Sequence, residues 1–337
     1  MLLFFNILSK RERFEYIFMN RKPRLVVLPP QHLGHEIHVG RNMVVDMCSK
    51  GILSSELGDC VMTGLPDRRF LYESLFLPQQ VYDFSLVPGL KQPIRPPKSP
   101  SEYLLLPSSS FSSINSFAEH QVINLSGYAL PPTYCTFGTS EEMRAVGYAV
   151  PDTYWNDRFI DLAKQFNFST KSEINALIPD ATPVYISIHH RYNAPIEKLM
   201  KILESLPAAL SKVIFTSNIV ELQKNLNAVP NLFFTDDLKS FASLLKDARC
   251  KLLISEWSGA GQVAQYTLGP QAGVWYYYDH YPDIFNFTMT HKIWELNAKL
   301  GTYFNCWDFK NISGCDIQHY SSFENLLAAV KEIRLNH

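Results

Sequence analysis

No Cys-x-x-Cys pair occurs in these 337 residues, although cysteines stand at positions 48, 60, 135, 250, 306 and 315. A zinc ribbon and a thioredoxin-type redox motif are thereby excluded. The cysteines are widely spaced in a chain long enough to fold without staples, so they read as reduced and buried, in a cytoplasmic setting. Neither charge sign dominates: Lys plus Arg is 31, Asp plus Glu is 32, and the formal net charge is -1. No global positive field exists to hold nucleic acid, and no aromatic–basic interleaving is seen. No apolar run reaches the roughly 20 residues of a membrane span. The opening Met1-Leu-Leu-Phe-Phe-Asn-Ile-Leu8 is far shorter and is followed by Ser9-Lys-Arg-Glu-Arg13. It reads as an element packed on the body or as a basic-flanked contact with a membrane surface. Tandem repeats, long charge runs and an Asp-x-Asp near a strand end, the usual metal motif of a transferase, are also lacking.

What is present is core material. Hydrophobic residues make up 46% and charged residues 19% of the chain, enough for two folded domains at this length. Asn-x-Ser/Thr triplets begin at Asn124, Asn167, Asn286 and Asn311, a number that chance supplies in such a composition.

The segment Arg24-Leu-Val-Val-Leu-Pro29 is an apolar strand closed by Pro29 and Pro30. The loop Gln31-His-Leu-Gly-His-Glu36 leads into a helix through about Lys50, with Val39, Met43 and Met47 on one face and Gly51 as its stop. Short strands are expected at 59–63 and 80–84, an extended Pro- and Ser-rich loop over 92–116, and helices at 140–147 and 157–166. From Pro183 strands alternate with helices of about ten residues. Strands are expected at 184–188, 212–215, 232–234, 251–254 and 273–276. Helices are expected from Ile196, over 220–226 and 238–248, after Gln262, and over 322–333. The alternation predicts an α/β chain of two Rossmann-like domains facing a central cleft. The expected division is an extension (1–22), an N-terminal acceptor domain (23–150), a crossover (151–182) and a C-terminal nucleotide-sugar domain (183–337).

In open α/β sheets ligands bind beyond the carboxyl ends of the strands. Four successive strands deliver polar groups there: His189, His190 and Arg191; Thr216, Ser217 and Asn218; Thr235, Asp236 and Asp237; then Ser255, Glu256, Trp257 and Ser258. The last group runs on through Gly259, Ala260, Gly261 and Gln262. Small residues before a helix let backbone N–H groups approach a diphosphate. Arg191 supplies a planar fork for phosphate oxygens. A carboxylate at 236 or 237 suits ribose hydroxyls, or alternatively caps the helix beginning at Leu238.

The order of these strand ends resembles the fucosyltransferase superfamily of GT-B-like glycosyltransferases. The resemblance rests on Leu33-Gly34-His35-Glu36 before a helix, on His189-His190-Arg191 after a strand, on Thr216-Ser217-Asn218, and on Ser255 to Gln262. The family pattern His-x-Arg-Arg-Gly is departed from at Tyr192 and Asn193, and Thr-Asp-Asp at Ser217 and Asn218. The resemblance implies an inverting, metal-independent transferase that uses a nucleotide sugar, in the family GDP-fucose, and needs no other cofactor. A glycan or lipid-linked molecule would be the acceptor. It implies donor contacts from Gly34, His189, Arg191, Asn218, Asp236, Asp237, Ser255, Ser258, Gly259, Gly261 and Gln262, with Arg191 neutralising the leaving diphosphate. A general base on the first loop would take the acceptor proton, His35 ranking before Glu36 and Glu36 before His32. Glu36 has a competing role as first-turn charge on the helix. Two other readings stay open. One is a heptosyl- or sialyl-type transferase in which Trp257 and Tyr276 to Tyr278 stack on another nucleotide. The other is a binding module of the same fold without turnover.

Overall fold

The computed structural model describes residues 25–29, 33–63, 66–83, 121–124, 177–191, 193–279 and 313–333. The expected extension 1–22, the loop 92–116, the helices at 140–147 and 157–166 and most of the expected crossover lie outside the described residues, as does His32. The described strands divide into two compact units, β1–β4 and β5–β10. Among the described residues, no helix is long and apolar enough to cross a membrane.

The first unit holds β1 (Leu25–Leu28), β2 (Cys60–Thr63), β3 (Val81–Asp83) and β4 (Gln121–Asn124), in the order β3-β2-β1-β4 with every pairing parallel. β1 leads through a helical turn at Leu33–His35 and a π-helical turn at Glu36–Gly40 into α1 (Arg41–Ser49). Met43, Val44, Val45 and Met47 are fully buried, so α1 is apolar over more than the single face its spacing suggests. Gly51 ends the helix at φ +69°, where a side chain would be strained. Gly51 N–H donates to Cys48 O and Ile52 N–H to Met47 O, the two bonds of a Schellman stop.

Charged side chains are also buried in this unit. Glu36 and Arg41 are fully buried and Arg68 nearly so. Arg68 Nη1 lies 2.9 Å from Glu36 Oε2, and Arg41 Nε donates to Leu71 O at 2.8 Å. These two bonds tie the two-turn 3₁₀ segment Pro66–Leu71 to the π-helical turn and the start of α1. Removal from water pushes the Glu36 carboxyl up to about 7 in spite of the Arg68 guanidinium beside it.

The second unit is a six-stranded parallel sheet ordered β10-β9-β8-β5-β6-β7. Its strands are β5 (Tyr185–His189), β6 (Ser211–Phe215), β7 (Leu232–Thr235), β8 (Cys250–Glu256), β9 (Gly273–Tyr277) and β10 (Asp316–Tyr320). Renumbered within the unit and read from β7, the order is 3-2-1-4-5-6, that of doubly wound nucleotide-binding sheets. The fold is therefore α/β with two Rossmann-like sheets, and the expected strands of both are present. β4 and β10 are additions that the sequence reading did not contain.

Helices cover both faces. The amphipathic α2 (Ile196–Ser205) buries Leu199, Ile202 and Leu203, and α7 (Phe323–Lys331) buries Phe323, Leu326 and Val330, against Ile186, Ile188, Ile214, Leu252 and Ile254. α3 (Ile219–Leu226) adds Leu222 and Leu226 to the same cluster. On the other face α4 (Leu238–Lys246) buries Phe241, Ala242, Leu244 and Leu245. Two short helices, α5 (Gly259–Gln262) and α6 (Ala264–Thr267), follow β8.

Gly261 has a packing reason. A Cβ there would lie 2.3 Å from Ser255 Oγ and 3.3 Å from Tyr276 Cε1. Gly261→Ala is expected to destabilise the protein by about 1–3 kcal/mol, the usual cost of overpacking. Gly269→Ala is the control, since nothing lies within 4 Å of its added methyl. Urea titration compares the two; equal midpoints would refute the packing argument.

Glu36 yields a second expectation. Its folded pKa of about 7 exceeds its ordinary 4.5, so the folded state holds the proton more tightly. The associated stability is complete below about pH 4.5 and is lost as pH rises through about 7. At about 1.4 kcal/mol per pKa unit the loss is about 3 kcal/mol. Glu36→Gln removes the titration. Between pH 5 and 8 the wild-type protein should fall by that amount relative to this variant in urea unfolding; parallel profiles would show that Glu36 does not titrate there.

Candidate active site

The chain changes direction once in the second unit. β5, β6 and β7 build outward to one side, and β8 then returns to pair with the other side of β5. Connections leave the carboxyl ends of β5 and β8 on opposite faces, which opens a crevice between them. The register sets His189 directly opposite Ser255 at that edge.

His189 is the hub. Its Nδ1 is 3.1 Å from Ser255 Oγ and 3.1 Å from Ser258 Oγ, so one ring nitrogen joins β8 to the first residue before α5. Ser255 Oγ also donates to Glu256 O at 2.7 Å, and Ser258 Oγ accepts the Gly261 N–H at 3.3 Å. Burial, with the charges of Arg191 and His190 added, pulls the His189 pKa down to about 3. The ring is neutral at physiological pH. Burial also lowers the pKa of His190.

Arg191 follows directly and is half-buried. Its charge acts on His189 and on Tyr277, at the ends of β5 and β9, so the guanidinium lies on this edge. Its backbone carbonyl accepts from Ala194 N–H in the turn that opens α2. Arg191 and Ser258 are thus the expected donor residues that combine a place at the crevice with accessible surface. Ser255, Gly259, Gly261 and Gln262 are buried and build the turn beneath it.

The outer strand ends do something else. Thr216 Oγ1 accepts from Asn218 N–H at 3.2 Å, and Thr235 Oγ1 accepts from Asp237 N–H at 3.3 Å. In both, a buried threonine closes a turn that sets the third residue as the N-cap of the next helix. The Asp237 carboxylate accepts from Ser240 N–H at 2.7 Å, the capping alternative raised by the sequence. The Asn218 amide is held by Glu221. Asp236 is exposed, on an edge strand roughly two strand spacings, about 10 Å, from β5.

The aromatic residues considered for base stacking are not available for it. Trp257, Tyr276 and Tyr278 are at most 1% exposed. Trp257 stacks on Tyr278 at 5.4 Å between centroids and meets the edge of Tyr276 at 4.9 Å. Tyr276 OH donates to Gly261 O at 2.9 Å, and Tyr278 OH pairs with His319 Nδ1 at 2.7 Å. This cluster is closed within the interior of the second unit. Its polar members went unassigned because burial, which the sequence does not reveal, decides their role.

In the first unit Gly34 and Glu36 sit on the helical turns after β1, both buried, and Glu36 is engaged by Arg68. Glu36 therefore presents no surface to an acceptor. The backbone of His35 belongs to the same turn, and its ring lies outside what the structure describes. Cys48, Cys60, Cys250 and Cys315 are free thiols, and no group of three or more His, Cys, Asp or Glu suited to a metal occurs among the described residues.

No known family profile matches the chain, and no curated protein sequence matches it. Solved structures do superpose. The E. coli heptosyltransferase WaaC with ADP is 10% identical with a TM-score of 0.44, over 92% of this chain and 98% of that one. The Methanocaldococcus jannaschii UDP-GlcNAc 2-epimerase in complex with UDP-GlcNAc and UDP is 12% identical with a TM-score of 0.42, over 93% of this chain and 92% of that one. Acinetobacter baumannii MurG is 12% identical with a TM-score of 0.31, over 92% of this chain and all of that one. At these scores the function has to be read from this chain's own residues.

Proposed function

We propose that this protein transfers a glycosyl group from a nucleoside-diphosphate sugar to a hydroxyl acceptor, with the donor held at the carboxyl ends of β5 and β8. The observation that carries the reading is a guanidinium, Arg191, beside a neutral buried histidine at the switch point of a 3-2-1-4-5-6 sheet. Neither β1 nor β5 is followed by Gly-x-Gly-x-x-Gly; the small-residue turn Gly259-Ala-Gly261 follows β8, and the diphosphate is assigned to the Arg191 guanidinium with that turn beside it. In the transfer the acceptor oxygen attacks the anomeric carbon and the bond to the diphosphate oxygen breaks. The charge that develops on the leaving group falls to Arg191, in the role other transferases give to a divalent cation. His189 stays neutral and adds no competing charge; it holds Ser258 in place. His35 is the proposed base, since Glu36 is enclosed with Arg68. A GDP-sugar, GDP-fucose first, is the donor that the order of the strand ends supports, with a glycan or lipid-linked acceptor and a cytoplasmic site of action.

One further reading has an observation behind it. Tyr192 stands where the family's second Arg would be, and Glu36 is buried, which together favour a module that binds a nucleotide without turnover.

A thermal-shift panel of GDP, UDP, CDP and ADP comes first, because a ligand bound only by the folded state raises the apparent melting temperature. A shift with none of the four would overturn the donor site. Nucleotide release from the matching sugar nucleotide is then measured with a chelator present. Arg191→Ala should lower it about a hundredfold or more, and the chelator should leave the parent rate unchanged. Release at the parent rate by Arg191→Ala excludes the proposed role. His35→Ala should retain the nucleotide-induced shift and lose acceptor-dependent release. Retention of release would move the base elsewhere.

A further inference from the structure

The second unit carries a groove of about 630 Å³ away from the crevice. It begins at the amino-terminal ends of β8 and β9, among Leu252, Ala272 and Gly273, and runs along one face of the edge strand β10 to the end of α7 at Glu332 and Ile333. We infer that this groove binds a neutral saccharide.

Its walls pair an aromatic corner with planar polar groups. Trp275 and Tyr320 are partly exposed and meet edge to face at 5.6 Å between centroids. Asp316, Gln318 and Tyr320 are alternate residues of β10 and share a face. Gln318 Nε2 donates to Asp316 Oδ2 at 2.9 Å, and Tyr320 OH donates to Gln318 Oε1 at 2.8 Å. This chain of bonds fixes three exposed or half-exposed polar groups in one row without help from the core. An amide, a carboxylate and a phenol so fixed offer donors and acceptors at the spacing of adjacent hydroxyls. A pyranose ring has an apolar face of C–H bonds for the indole and an equatorial rim of hydroxyls for the row.

The charges select against the alternative ligand. Asp316 and Glu332 line the groove, and Lys251 is the lining cation, its ammonium already donating to Ala248 O at 2.8 Å. Two carboxylates against one engaged ammonium repel a phosphate or diphosphate. The crevice differs in carrying the Arg191 guanidinium. The groove therefore does not duplicate the donor site, and its occupant is uncharged. This inference stands apart from the transfer reaction, because it rests on residues at the other end of the strands.

Saturation-transfer NMR and tryptophan fluorescence with maltotriose, cellotriose and triacetylchitotriose test it on the full chain. At least one trisaccharide should bind with a dissociation constant of the order of 1 mM, a modest affinity for an open groove. Gln318→Ala removes the middle of the polar row at an exposed position and should weaken binding about tenfold. Trp275→Leu keeps apolar volume against the core and should abolish both the fluorescence response and saturation of the sugar C–H protons. GDP at saturating concentration should leave saccharide binding unchanged, and Arg191→Ala should do the same. Binding of none of the three sugars overturns the inference. So does binding that survives both groove substitutions, or that GDP displaces. Loss of nucleotide binding with retained saccharide binding would instead refute the donor site and leave the groove standing.

Discussion

The return of β8 to the free side of β5 is the constraint on which the second unit depends. It places His189 opposite Ser255 and makes a buried imidazole the joint between two strands that are 60 residues apart in sequence. A charged imidazole would not tolerate that position, since burial and the neighbouring Arg191 both oppose protonation. Ser255 gives its proton to Glu256 O, so the neutral ring's Nδ1 either accepts from Ser258 or, carrying the proton, donates toward the two hydroxyls. Ser258 is thereby held where it caps α5, and α5 in turn needs Gly261, because Ser255 fills the space a methyl would occupy. One pairing choice thus determines a histidine's protonation state, a helix start and a glycine.

The two units use buried charge differently. In the first, Arg68 bonds to Glu36 inside the fold and ties the segment Pro66–Leu71 to the helical turn after β1. A buried pair of this kind costs desolvation on both partners and specifies position more than it stabilises. In the second unit Arg191 stays half-buried at an edge, where its charge reaches the neighbouring ring and phenol. The same residue types, a carboxylate on a loop after a strand and an arginine after another, look alike in sequence. Burial separates them: Glu36 is enclosed and Arg191 is only half-buried.

The strand–helix alternation from residue 184 onward was legible because its strands are continuous apolar runs and its helices have clean amphipathic spacing. β10 was not, because Asp316-Ile-Gln-His-Tyr320 is an edge strand of mostly polar residues whose outer row faces a groove. The strand ends were legible as a polar edge, but their division of labour was not. Thr216-Ser217-Asn218 and Thr235-Asp236-Asp237 resemble ligand motifs in one dimension. In three dimensions each closes a turn through its threonine and starts a helix with its third residue. The aromatic run at 276–278 shows the same limit: Tyr276 in β9 and Tyr278 just beyond it face buried neighbours, and their packing on Trp257 consumes the surfaces a base would need.

A parallel sheet also presents unlike chemistry at its two ends. At the carboxyl ends the chain turns into helix starts, where backbone N–H groups and the Arg191 guanidinium stand with the carboxylates of Glu256, Asp236 and Asp237. At the amino-terminal ends the strands begin after loops that follow helices, and Lys251 and Lys212 donate to the loop carbonyls of Ala248 and Ala208. Around the groove, with Lys251 so engaged, Asp316 and Glu332 supply the remaining charge and Trp275 and Tyr320 the aromatic surface. The two proposed ligands, an anionic donor and an uncharged sugar, are assigned to opposite ends of the same strands. The parallel pairing itself sets which residues each end presents, and so which chemistry each proposal can draw on.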